Sequence, residues 1–227
     1  MTKAHLPFQN NFNFNAQPGN RTWYNLNIQP VIPGNYNKDW NLINRFIIPL
    51  QSLPVGNTKR INGIGDLTYE AFFSPNKDSE VIWGAGPVLS LPIGSDALLT
   101  NGKYCLGAAG VICKTKFPWV TGLMVQNMWS VYGDPSKKYV NQLLSYPFVN
   151  YNFKDGSFIS FVPTITADWT SNVNNRWVLP LGLGVGKVTN IGKQPVSLSL
   201  SAYKNVMKPD NYPDWQFRFK FSLLFPD

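Results

Sequence analysis

The stretch Trp215-Gln216-Phe217-Arg218-Phe219-Lys220-Phe221-Ser222-Leu223-Leu224-Phe225 alternates large apolar and polar side chains almost without a break. Successive side chains of a strand point to opposite faces. Trp215, Phe217, Phe219, Phe221, Leu223 and Phe225 therefore share one face, and Gln216, Arg218, Lys220 and Ser222 the other. An antiparallel sheet in water shows such a split when a protein core covers its apolar side. A strand of a transmembrane barrel shows the same split with lipid as the cover and a polar lumen behind.

Working outward, the alternation recurs along the chain. Phe8, Phe12 and Phe14 oppose Gln9, Asn11, Asn13 and Asn15, and Tyr24, Leu26 and Ile28 oppose Asn25, Asn27 and Gln29. Leu67, Tyr69, Ala71 and Phe73 oppose Asp66, Thr68, Glu70 and Ser74. Phe161, Ile165 and Trp169 oppose Ser160, Thr164, Thr166 and Asp168, and Leu198, Leu200 and Ala202 oppose Ser197, Ser199, Ser201 and Asn205. The second face is too polar for the interior of a soluble sandwich. Turn-forming clusters divide the chain into about twelve strands, at 7–16, 22–32, 39–51, 64–74, 81–93, 103–115, 119–132, 140–153, 157–169, 176–189, 196–206 and 214–225. No segment reads as an amphipathic helix. The expectation is an all-β fold, a closed antiparallel transmembrane barrel over residues 7–227 with a flexible tail at 1–6.

Composition agrees with that reading. Among 227 residues only 14% are charged, against roughly 25% in an ordinary soluble domain. Aromatics reach 15%, yet mean hydropathy is only −0.16, because neutral polar residues fill the alternate positions. A carbohydrate-binding β-sandwich has a similar composition, so composition alone leaves both open. No apolar run approaches the roughly 18 residues of a membrane helix. Met1-Thr2-Lys3-Ala4-His5 is no secretory signal, so export implies that a leader has been removed. The net charge of +8 is spread thinly, with basic pairs only at Lys59-Arg60 and Lys137-Lys138. That pattern favours a solvated or anionic-lipid-facing surface over nucleic-acid binding.

Strand ends carry further signals. With the N-terminus taken as periplasmic, links after even-numbered strands are tight, and those at Ser52–Gly63 and Gly94–Gly102 are longer. Short periplasmic turns and longer outer loops characterise outer-membrane barrels. Trp40, Trp83 and Trp119 then fall near the periplasmic boundary, and Trp23, Trp129, Trp169, Trp177 and Trp215 near the outer one. Indole rings favour that interface. Pro30, Pro49, Pro87, Pro92, Pro147, Pro163 and Pro180 fall inside or near strands, where a missing donor predicts bulges or lost pairing.

The chemistry of catalysis is thin. Activating serine or water commonly takes an imidazole, and the one histidine, His5, lies in the expected tail. Asp66 and Glu70 share a face, but four positions along a strand separate them by about 13 Å, too far for a cooperating pair. Cys105 and Cys113 lie in one predicted strand about 27 Å apart, beyond the reach of a disulfide. No metal or cofactor set is apparent, and no enzymatic activity is expected. Glycines at every second position in Gly182-Leu183-Gly184-Val185-Gly186-Lys187 clear one strand face and lack phosphate-loop spacing.

From about Gly63 onward the chain resembles a bacterial outer-membrane β-barrel family labelled "MetA-pathway of phenol degradation" or, misleadingly, "neuromedin U". The resembling segments are Gly65-Asp66-Leu67, Trp83-Gly84-Ala85-Gly86-Pro87, Asn127-Met128-Trp129-Ser130-Val131, Val140-Asn141-Gln142, Val178-Leu179-Pro180-Leu181-Gly182-Leu183-Gly184-Val185-Gly186-Lys187 and Pro213-Asp214-Trp215-Gln216. The resemblance implies an outer-membrane barrel with a transport-type role and no particular substrate. The expected partners are the lipid bilayer, lipopolysaccharide and small solutes.

Alternation nominates the pore-lining residues Arg45, Asp66, Glu70, Gln126, Gln142, Asn150, Thr166, Asp168, Arg218 and Lys220. Their charges balance at three of each sign. Three functions fit: a passive channel for small, aromatic or amphiphilic solutes; a sealed structural or adhesive barrel, with Arg45 paired to Asp66 or Glu70; and a secreted sugar-binding sandwich.

Overall fold

The computed structural model describes residues 4–17, 19–77 and 79–225. Fifteen strand segments follow one another: β1 (Ala4–Ala16), β2 (Arg21–Ile28), β3 (Val31–Asn35), β4 (Trp40–Val55), β5 (Lys59–Ile64), β6 (Leu67–Pro75), β7 (Val81–Leu91), β8 (Lys103–Lys116), β9 (Trp119–Gly133), β10 (Asn141–Asn152), β11 (Ser157–Phe161), β12 (Ile165–Asp168), β13 (Trp177–Ile191), β14 (Gln194–Met207) and β15 (Trp215–Phe225). One short 3-10 turn, Val173–Asn175, interrupts them. The pairs β2/β3, β5/β6 and β11/β12 are each one long strand broken in two, so the ring contains twelve antiparallel strands.

Closure joins the two ends of the chain. β1 pairs with β15 from Ala4 opposite Phe225 to Phe14 opposite Trp215, which places the alternating C-terminal stretch in the seam. Ala4, His5 and Leu6 belong to this ladder rather than to a flexible tail; the expected tail residues 1–3 lie outside the described residues. Pairing with Leu223 to Phe225 gives their backbone groups protein partners in place of water.

Connections at the rim that holds Ala4 and Phe225 are short: 36–39, 76–80, 117–118, 153–156 and 192–193. The opposite rim carries the longer segments 92–102, 134–140, 169–176 and 208–214. Ser52–Gly63 is not a loop. β4 continues to Val55 and β5 returns from Lys59, so only a three-residue turn remains. The polar run Asn57-Thr58-Lys59-Arg60 reads as loop, yet Arg60 stays in the ladder and anchors to Ser52 O at 2.9 Å.

The outer surface is an apolar band, with Leu106, Leu123, Leu181, Leu183, Val185, Leu200 and Phe217 all exposed on it. Aromatic pairs mark both ends. Near the short-turn rim Trp40 meets Trp83 at 5.9 Å between ring centroids, and Trp119 meets Tyr151 at 4.9 Å. Near the long-loop rim Trp169 meets Trp177 at 5.5 Å, Lys204 lies 5.6 Å from the Trp215 ring, and Trp129 is exposed. Trp23 departs from the expectation. It shares the inward face with Asn25 and Asn27 and lines the lumen, edge-on to Tyr212 at 6.3 Å.

Asn10, Asn44 and Asn127 interrupt the apolar outer face, and each is met by an aromatic donor. Tyr24 Oη donates to Asn10 Oδ1 at 2.7 Å, Tyr69 Oη to Asn44 Oδ1 at 2.7 Å, and Trp169 Nε1 to Asn127 Oδ1 at 2.9 Å. In an apolar medium an unpaired amide is costly, so Tyr and Trp here act as built-in partners. Tyr24→Phe is expected to destabilise the folded barrel by about 1–3 kcal/mol, measured as a lower urea midpoint in lipid. An unchanged midpoint would show that Asn10 finds another partner.

Candidate functional site: the lumen and its fixed charges

One interruption of the ladder at proline turns a backbone carbonyl toward the interior. Pro147 on β10 and Pro163, between β11 and β12, fall opposite each other, and pairing stops there: Ser145 pairs with Ile165 and Val149 with Phe161, with nothing between. Neither proline has an N–H to give. The carbonyl of Val162, released from the ladder, accepts from Tyr203 Oη at 3.1 Å and from Arg218 Nη1 at 3.1 Å. Similar interruptions occur at Pro30, between β2 and β3, and at Pro180, where the β13–β14 register shifts.

Arg218 is thereby held by neutral groups alone. Its Nε donates to Asn11 Oδ1 at 3.0 Å, and its Nη2 to Thr164 Oγ1 at 2.9 Å and Gln216 Oε1 at 2.8 Å. The guanidinium lies 5.1 Å from the centroid of the Tyr203 ring. A guanidinium has five N–H donors, so four are engaged and one on Nη1 is spare. No carboxylate pairs with it among the described residues.

Arg45 is bound differently. It faces Glu70 directly across the β4–β6 ladder, Nη1 to Oε2 at 3.0 Å, while Nη2 donates to Gln29 Oε1 at 3.0 Å. Its guanidinium lies 5.8 Å from the Tyr146 ring centroid. Glu70 is fully buried, and its Oε1 finds no protein partner. Trp23 Nε1, Gln126 Oε1 and Asn150 Oδ1 are inward groups in the same position. Such groups are commonly hydrated.

Two cavities occupy the lumen. The larger, about 720 Å³, lies toward the short-turn rim and is lined by Arg45, Asn150, Arg218 and Lys220 together with Phe72, Val111, Met124, Phe148 and Phe158. The smaller, about 160 Å³, lies toward the long loops, against Asn11, Asn13, Trp23, Thr166 and Tyr212. Gln9, Tyr146 and Arg218 line both and form the partition.

The lumen wall is two-faced, which the sequence reading did not anticipate. β1, β14 and β15 contribute amides, serines and cations. Halfway round the ring, Phe72, Val88, Ala109 and Met124 from β6 to β9 pack into an apolar cluster, flanked by Ile43, Val111, Leu144 and Tyr146. These inward residues sit next to outward apolar ones, as in Phe72-Phe73 and Val111-Ile112, so the alternation is lost locally.

The expected charge balance also fails. Asp66 accepts from the backbone N–H groups of Gly94 at 3.2 Å and Asn101 at 2.7 Å, fixing the 92–102 loop. Asp168 accepts from Thr170 N at 2.9 Å and Ser171 Oγ at 2.7 Å, capping the turn after β12. Both carboxylates serve the long-loop rim, because a short acidic side chain at a strand end reaches local N–H groups more readily than the lumen. Gln126 is buried beside the apolar cluster, and Gln142 pairs with Asp168 near the same rim. Among the described residues, three cations against one carboxylate leave the lumen with two uncompensated positive charges.

A mouth residue completes the site. Tyr212, in the 208–214 segment, turns into the smaller cavity, and its packing there pushes the phenol up to about 12. Lys208 anchors the segment, with Nζ 2.8 Å from Tyr212 O and 3.2 Å from Asp214 Oδ1. Hydrogen bonds from Lys208 and Asn15 hold the Asp214 carboxyl below its ordinary range. Among the described residues, no group of three or more His, Cys, Asp or Glu side chains could hold a metal ion.

The twelve-stranded architecture is shared with solved barrels. The COG4313 outer membrane channel from Pseudomonas putida F1 is 13% identical, with 99% of this chain and 96% of that chain covered and a TM-score of 0.70. The NanC porin is 9% identical, with 98% and 100% covered and a TM-score of 0.59. No protein-family model matches the chain, and no curated protein matches it in sequence. At these identities the likeness is one of fold: a closed antiparallel β-barrel.

Proposed function

We propose that this protein is a bacterial outer-membrane barrel through which small solutes diffuse, the two-faced lumen suiting amphiphilic or aromatic ones. The apolar band between two aromatic belts is the surface a bilayer covers, with lipopolysaccharide against the long-loop rim. The observation that carries the reading is the large lumen cavity, walled on one side by Phe72, Val111 and Met124 and on the other by Arg218, Lys220 and Ser199. A purely structural barrel of twelve strands could fill that space with side chains. The fold shared with the COG4313 channel and the NanC porin points the same way.

A sealed barrel is the second reading, favoured by the Arg45–Glu70 bond and by Tyr212 in the mouth. Conductance in planar bilayers separates the two. The wild type is expected to conduct weakly, and Arg45→Ala with Glu70→Ala to raise conductance several-fold. Both samples silent, with no solute flux in liposomes, would favour the sealed form.

Tyr212→Ala is expected to raise conductance and Tyr212→Phe to leave it unchanged, since ring volume is what occupies the mouth. The Lys208–Asp214 tether depends on an ionised carboxylate. Because the Asp214 pKa is depressed, the tether is intact at neutral pH and is lost as pH falls through that lowered value. Open-channel noise should therefore rise only in acid below the usual carboxylate range, and noise independent of pH would remove Asp214 from this role.

A further inference from the structure

Lys220 Nζ has no hydrogen-bond or ion-pair acceptor among the described residues, although its side chain lines the large cavity beside Arg218. The neighbouring guanidinium is neutralised by none of the described residues and has one N–H without an acceptor among them. On β15 the two residues are two positions apart, on one face of one strand. Two adjacent cations without a counter-charge, inside a cavity, form an incomplete ion pair whose missing half is an anion.

The far wall says what else that anion carries. β8 and β9 lie half a ring away from β15, and present Val111, Val120 and Met124 to the same cavity, beside Phe72, Phe148 and Phe158. At about 720 Å³ the space falls in the range of small-molecule sites. A cationic amphiphile would meet Arg45, Arg218 and Lys220 with only Glu70, already bonded, to receive it. A small hydrophilic anion would leave the apolar wall unused.

We propose that this cavity is a binding site for an amphipathic monoanion, a carboxylate on a hydrocarbon or aromatic body, its head on Lys220 and the spare N–H of Arg218. The body lies toward Phe72, Val111 and Met124. The proposal names a ligand class for the lumen and rests on the proposed reading of that lumen as a solute path.

Cys113 lines the same cavity and gives a native probe, whereas Cys105 is buried. The test compares modification of Cys113 by an anionic sulfonatoethyl and a cationic trimethylammonioethyl methanethiosulfonate, each normalised to its rate with a free small thiol. Cys113→Ser removes the signal and identifies the site. A local potential of a few kT enriches the anionic reagent on the order of tenfold over bulk and depletes the cationic one by a similar factor, so the preference is on the order of a hundredfold. Lys220→Gln should shrink that preference, and Arg218→Gln should do so while Arg218→Lys retains it. Heat-dependent gel mobility verifies that each variant is folded. Hexanoate should protect Cys113 from a neutral reagent, and hexylammonium should not.

Equal or faster cationic modification, or no protection by hexanoate, overturns the site. If no reagent reaches Cys113, calorimetry with hexanoate decides: heat that is lost in Lys220→Gln supports the site, and no heat overturns it. Conductance recorded in parallel keeps the two ideas apart. A conducting barrel without charge preference overturns the site alone, and a silent barrel that still binds hexanoate overturns passage alone.

Discussion

The constraint behind this structure is that backbone N–H and C=O groups out of reach of water must be paired within the chain. An open sheet has two edges of unpaired groups, and here the sheet closes on itself. The seam between β1 and β15 is where this is settled, with eleven successive residue pairs from Ala4–Phe225 to Phe14–Trp215. The first residues of the chain are ordered because their partners are the last ones. The same rule governs outward side chains, where Asn10, Asn44 and Asn127 are tolerated because Tyr24, Tyr69 and Trp169 donate to them.

Proline violates the rule, and the violations are used. Pro147 and Pro163 oppose each other, so the donors both lack cost one local gap rather than two. The Val162 carbonyl freed there faces inward and becomes an acceptor for Arg218 and Tyr203. A charge held this way is expensive unless its donors are satisfied. Asn11, Gln216, Thr164 and Val162 satisfy four of them without neutralising it. Arg45 solves the same problem with Glu70, and its field is cancelled at short range. The lumen therefore contains two kinds of cation, one paired and silent, the other orienting the field.

Much of the fold was legible because a period of two is a local property. Strands with a polar inward face show it whatever their partners, as in Phe8–Phe14 and Trp215–Phe225, and the turn-forming clusters between segments divided the chain into twelve. What the period cannot show is how far a strand extends or which face is inside. Polar Asn57 to Arg60 resembled a loop although the hairpin continues around it. Trp23 carries the inward parity of Asn25, but its indole suggested an interface. Asp66 and Asp168 have lumen parity, yet lie where the ladder ends and backbone N–H groups are unclaimed. Tyr146, Tyr203, Gln29 and Tyr212 were missed because nothing local marks an aromatic or amide that meets an arginine from another strand.

The apolar wall was the least legible feature, and it bears most on function. A water-filled porin keeps its whole lumen polar, whereas packing Phe72, Val88, Ala109 and Met124 inward removes solvation from one side of this lumen. Field lines from Arg218 and Lys220 meet a low-dielectric wall there, and screening is weaker than in a fully wet pore of equal width. The two faces thus reinforce each other. The apolar side raises the influence of the uncompensated charges, and under the proposed function the charges would orient a solute that the apolar side alone would bind indifferently.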